Sequence, residues 1–190
     1  RCYLGTIDNF YYKNDEYFMY NSLARQYWSL VEGQTRLKNR YKQLIEIVFP
    51  EFNLIFNDLY DDLALNFIHD FPHPVLFVNR RIDYLMNYLK DKNGTTKAYR
   101  FKNKVLKMKE LASNSLCFVS FDSLQVQNLV QTIEIIQYHK SEINKIKNQL
   151  IDEMKDKKLF KIINSIPGFG EFSTALFLAE VGDITRFDDK

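Results

Sequence analysis

The chain has 190 residues, of which 46% are hydrophobic and 26% charged, with a net charge of +2; this is ample for a core of one or two small domains and too balanced to announce a polyanion partner by itself. Sixteen Phe and twelve Tyr against six Gly and four Pro exclude a disordered chain and favour an all-α fold built from long helices. No apolar run approaches the roughly 20 residues that cross a bilayer, and Cys2 and Cys117 are too few and too distant for a disulfide framework or a metal knuckle, so the expectation is a soluble, intracellular protein with reduced thiols and no membrane partner.

Residues Arg1 to Asn14 carry little pattern, and the opening Arg1 in place of Met gives the expectation of a fragment. From Asp15 the sequence sharpens. Tyr20, Leu23, Tyr27, Leu30, Gln34, Leu37, Tyr41, Leu44 and Val48 recur in steps of three and four, which predicts one long helix with a heptad seam and a single polar break at Gln34. Pro50 ends it near Phe49. A shorter helix is predicted over Glu51 to His69, with Phe52, Ile55, Phe56, Leu59, Leu63 and Phe67 inward and Asp58, Asp61 and Asp62 on a shared face. That face is either solvated or a divalent-cation site. His69 and His73 flank Phe-Pro and read as surface turn residues.

Pro74 suits the start of a helix through Lys90, which Asp91-Lys92-Asn93-Gly94 closes. A basic helix to Ser113 and a connector to Phe121 follow, with Asp122 or Ser123 capping a second long helix to Lys157. That helix repeats Val126, Leu129, Ile133, Ile136, Lys140, Ile143, Lys147, Leu150 and Met154, and Ile146 beside Lys147 implies that its stripe drifts. Two long heptad helices separated by a helical insertion should pair antiparallel, within the chain or with a second copy. The organisation read from this is a preceding region over 1–16, a helical coiled-coil segment over 17–158 and the start of a further domain over 159–190.

Basic residues cluster at Arg36, Lys38, Arg40 and Lys42; at Lys97, Arg100, Lys102, Lys104, Lys107 and Lys109; and at Lys155, Lys157, Lys158 and Lys161. Each is either a solvated helix face or a binding patch. The third runs into Ser165-Ile-Pro-Gly-Phe-Gly-Glu-Phe-Ser-Thr174, where Pro167, Gly168 and Gly170 separate one helix ending near Asn164 from another running from Glu171 to Gly182. Such a helix-hairpin-helix-like turn offers backbone N–H groups to a phosphate, and the candidate nucleic-acid-binding residues are Lys158, Lys161, Pro167, Gly168, Phe169, Gly170 and Thr174. The alternative is an ordinary helical hairpin whose glycines serve close packing. No nucleophile, base or metal-ligand set is legible.

Ile166-Pro-Gly-Phe-Gly170, Thr174-Ala175, Ala179-Glu-Val-Gly-Asp-Ile184 and Arg186-Phe187 resemble the start of the C-terminal domain of insertion-sequence 110 family transposases. Leu23-Ala-Arg-Gln-Tyr27, Arg36-Leu-Lys-Asn-Arg40, Phe49-Pro-Glu51 and Phe71-Pro-His-Pro74 resemble that family's central segment in the same order. The resemblance implies a DNA transposase or site-specific recombinase with an N-terminal RuvC-like domain. Its acidic tetrad holds a divalent metal such as Mg, its C-terminal domain carries a serine nucleophile, and family members use a structured guide RNA. On that alignment the acidic residues precede Arg1 and the serine follows Lys190. The chain would then contribute DNA binding, guide-RNA contact and homo-oligomeric assembly, without catalysis, in a cytoplasmic, nucleoid-associated protein. Thr174 stands where helix-hairpin-helix motifs prefer a small residue. Two other readings stay open, a stand-alone helical nucleic-acid-binding module and a structural coiled-coil dimerisation protein.

Overall fold

The computed structural model describes residues 15–182, and within them the chain is helical with no strand. Eight α-helices are α1 (Asp15–Val48), α2 (Asp62–Asp70), α3 (Val75–Val78), α4 (Ile82–Lys92), α5 (Lys102–Ser113), α6 (Leu124–Met154), α7 (Lys158–Asn164) and α8 (Glu171–Val181), with 3-10 segments η1 (Pro50–Leu54) and η2 (Ala98–Phe101). No helix among the described residues is long and apolar enough to cross a membrane. The motif Asp183 to Phe187 lies outside the described residues.

The described residues divide into two compact units: 15–32 with 140–182, and Gly33–His139. In the first, residues 15–32 of α1 run antiparallel to the end of α6, as the pairs Glu16–Lys157 and Tyr27–Lys147 show. Tyr20 and Ala24 of α1, Ile146, Leu150 and Met154 of α6, Phe160 of α7, and Ala175, Leu178 and Ala179 of α8 close into one core. The small side chains of Ala24, Ala175 and Ala179 let backbones approach, while each large apolar chain contributes roughly 1.5–3 kcal/mol. Ile146 is buried and Lys147 half-buried, which is the drift expected of the α6 stripe.

The second unit is built on aromatic packing. Phe67 stacks on Phe52 at 6.4 Å and meets Phe71 and Phe77 at 5.2 Å, with Phe49 5.8 Å from Phe77. Val126, Leu129, Ile133 and Ile136 of α6 join this core.

The continuous helix expected over Glu51 to His69 is broken into η1, a loop and α2. Pro50 has no N–H, and the Asp58 carboxylate accepts the Tyr60 N–H at 2.8 Å, an Asx turn that competes with helix. Asp61 then enters α2 with extended backbone (φ −59°, ψ 142°). Asp58, Asp61 and Asp62 therefore do not share a helix face. The helix expected from Pro74 to Lys90 is also two, because Arg81 is extended (φ −65°, ψ 142°) and the freed Arg80 carbonyl accepts the Lys109 ammonium at 2.6 Å. Gly94 at φ 64° closes α4, as its Asn-Gly predicts.

His73 is a core residue rather than a surface one, 5% exposed. Its Nδ1 accepts the Val75 N–H at 3.3 Å, so Nε2 carries the proton and donates to the Val119 carbonyl at 3.0 Å. Cys117 Sγ lies 3.1 Å from the same Nε2, and Glu51 accepts from Ser115 Oγ (2.6 Å) and Leu116 N–H (3.1 Å). The connector before α6 is thus pinned at four points. Ser123 Oγ accepts the Val126 N–H at 3.4 Å, the cap expected of it.

Candidate nucleic-acid interface

Helix α8 sets the position of the hairpin in the first unit. Phe172 packs edge-on against Tyr27 at 4.9 Å, and Lys147 lies 5.1 Å from the Phe172 ring and 5.8 Å from that of Tyr27. Asn21, buried on α1, donates to the Ala179 carbonyl and the Glu180 carboxylate, both at 3.4 Å, and so satisfies one carbonyl of the last turn of α8. Gly182 caps that end at φ 72°.

Between α7 and α8 the chain turns through Ser165 to Gly170, all of them exposed. The Phe169 N–H returns to the Ile166 carbonyl at 3.1 Å, tightening the turn around Pro167. Gly168 sits at φ 95°, where a side chain is strained. Gly170 differs: φ is −86° and ψ 165°, backbone that any residue adopts, and a Cβ built there meets nothing within 4 Å. Neither glycine serves close packing inside the chain, since a Cβ at Gly168 also meets nothing within 4 Å.

Gly170 is the N-cap of α8 and no side chain bonds to the cap. The N–H groups of the first turn of α8 have no intrahelical acceptor, and the helix dipole adds partial positive charge there. Glu171, exposed in that turn, opposes an incoming anion. Of the third basic cluster, Lys155 pairs with Asp152 at 2.8 Å and Lys157 with Glu16 at 2.6 Å. Burial would draw the Lys157 ammonium down, but hydrogen bonds to Glu16 and Tyr20 outweigh it and hold it above its ordinary value. Lys158 and Lys161 are exposed and, among the described residues, form no ion pair.

The sequence-predicted residues thus fall into two groups. Lys158, Lys161, Pro167, Gly168, Phe169 and Gly170 are exposed on α7 and the turn, with Phe169 resting edge-on against Phe177 at 6.1 Å. Thr174 is fully buried; its hydroxyl faces Asn164 Oδ1 at 3.5 Å, between the helices. Its role is to join α7 to α8.

The first basic cluster is mostly solvated, with Lys38 over the Tyr60 ring at 4.9 Å. The second splits. Lys107 donates to the Leu54 carbonyl at 2.5 Å, Lys109 to that of Arg80, and Lys104 lies 4.1 Å from the Phe56 ring, where burial lowers its proton affinity. Lys97, Arg100 and Lys102 stay exposed around Tyr99, an aromatic that the charge pattern alone did not bring forward. Its place between Lys97 and Arg100, an aromatic inside a basic run, is the sequence feature that marks it. No family model, curated protein or solved structure matches the chain.

Proposed function

We propose that this chain is a nucleic-acid-binding and assembly segment of an insertion-sequence 110 family DNA transposase, and that the α7–α8 turn grips the DNA backbone in the manner of a helix-hairpin-helix. The observation that carries this reading is Gly170. Neither backbone angle nor internal packing demands glycine there, yet the position borders an exposed, uncapped helix N-terminus. A phosphate approaching the first-turn N–H groups would need the space a side chain would occupy. Lys158 and Lys161, exposed on the helix that leads into the turn, supply screened attraction.

The ordered motifs from Leu23 to Phe187 support the family, and the two long helices support a strut through which copies assemble. Strand transfer, with its divalent metal, is assigned to the family's acidic tetrad and serine and to no residue of this segment. A guide RNA is a further partner of the same reading.

The test is a gel-shift series on duplex DNA with wild type, Gly170→Ala and Gly170→Val, with helicity followed by circular dichroism. The expected result is progressive loss of binding with helicity unchanged. Binding indifferent to both substitutions removes the hairpin from the interface. Robust metal-dependent strand exchange by these 190 residues alone contradicts the non-catalytic assignment.

A further inference from the structure

Positive charge is unevenly distributed. Residues 79–113 hold ten Lys and Arg against three Asp and Glu, a net of +7, whereas the whole chain carries +2. They build α4, η2 and α5, which pack on one another in the second unit. Some of these cations are engaged: Lys90 with Asp91, Lys92 with Asp70, Lys107 and Lys109 with carbonyls. Arg80, Arg81, Lys97, Arg100 and Lys102 are exposed, and among the described residues none of them forms an ion pair. Like charges gathered this way repel one another unless an extended anion spans them.

Two exposed tyrosines lie in the same segment. Tyr99, between Lys97 and Arg100 on η2, is 67% exposed, and Tyr84 on α4 is 49% exposed. The Tyr84 ring is held by Phe71, edge-on at 6.5 Å, and the Arg80 guanidinium lies over it at 5.6 Å. Exposed rings beside cations that form no ion pair suit a strand with free base faces, which stack on rings and guanidinium planes while phosphates meet the cations. A duplex keeps its base faces inside and gains nothing from the rings.

We propose that the α4–η2–α5 face binds single-stranded nucleic acid, as a site separate from the α7–α8 hairpin. The ligand is recognised by stacking at Tyr99 and Tyr84 and by phosphate contact at Arg80, Arg81, Lys97, Arg100 and Lys102.

The test uses the full chain carrying Gly170→Val, so that the hairpin does not contribute. Fluorescence anisotropy follows a labelled 15-nucleotide oligo(U), oligo(dT) and a 15-base-pair duplex, with polyglutamate as competitor. Single strands should bind at least tenfold tighter than duplex. Tyr99→Ala should cost about tenfold and Tyr99→Phe little. Arg80→Gln with Arg100→Gln should flatten the slope of log affinity against log salt by about 1.4, near 0.7 for each phosphate that is no longer neutralised. RNA above DNA identifies a ribose-reading face, and equal binding identifies shared base and phosphate chemistry; both support the proposal. Duplex bound as tightly as single strand, polyglutamate competing equally, or Tyr99→Ala within twofold of its parent overturns it. Failure of the hairpin reading is seen separately, as duplex binding that Gly170→Val leaves intact in the otherwise wild-type chain.

Discussion

Tyr41 is fully buried in the second unit, and its hydroxyl is the one buried side-chain polar atom among the described residues with no hydrogen-bond partner. The ring packs against Tyr60 at 5.8 Å, so its aromatic contacts survive replacement by phenylalanine. Unfolding returns the hydroxyl to water, and an unsatisfied buried donor costs about 1–3 kcal/mol. Tyr41→Phe should therefore stabilise the protein by about 1 kcal/mol, which for a chain of this size raises Tm by about 3 °C. A second signature follows from ionisation. Burial, with smaller contributions from Tyr60 and Asp58, pushes the Tyr41 phenol well above its ordinary value. Its contribution is therefore intact below about pH 10 and is lost as pH rises, because the unfolded state then releases the proton and the native state does not. The advantage of Tyr41→Phe should widen above about pH 10, by up to about 1.4 kcal/mol per pH unit. Urea unfolding followed by circular dichroism at pH 8 and pH 10.5 reads both effects. A variant less stable than wild type at pH 8, or a gap that does not widen, refutes the orphaned hydroxyl.

Three further outcomes follow. Burial would raise the Glu51 carboxyl, but the Ser115 hydroxyl and Leu116 N–H outweigh it and hold it below its ordinary value, so the pin on the connector is present above about pH 4 and lost as pH falls through the depressed value. Amide exchange at Leu116 should accelerate on acidification beyond its intrinsic pH dependence and in Glu51→Gln at neutral pH; unchanged protection contradicts the pin. A Cβ at Gly33 would lie 3.1 Å from His139 Cε1, so Gly33→Ala should gain little alone and about 1 kcal/mol in a His139→Ala background; the full gain in wild type denies the crowding. Removing the anion-opposing charge with Glu171→Gln should tighten duplex binding about threefold, and weaker binding places the phosphate elsewhere.

Long elements were legible because their signal is repetitive. Nine seam positions in α1 and nine in α6 outvote any single residue, and the ends of both helices fall within a few residues of their punctuation at Pro50 and Ser123. The short elements were not, because one local contact decides them. The Asp58 Asx turn breaks an apolar period that reads as helix, and the Arg80 carbonyl finds Lys109 only once α5 is in place. His73 and Cys117 are 44 residues apart in sequence and 3.1 Å apart in space, a relation that no spacing rule carries. At the candidate interface the glycine turn was readable from Pro167, Gly168 and Gly170, whereas the burial of Thr174 and the exposure of Tyr99 depend on how α8 and η2 pack.

The proposed grip of the hairpin on a DNA backbone rests on its N–H groups and two lysines. The most direct measurement is duplex affinity from 50 to 200 mM salt for wild type, Gly170→Val and Lys158→Gln with Lys161→Gln. Gly170→Val should lose at least tenfold at every salt, and the lysine pair should show a salt slope flatter by about 1.8, near 0.9 for each phosphate that is no longer neutralised. Wild-type affinity and slope in both variants contradict it.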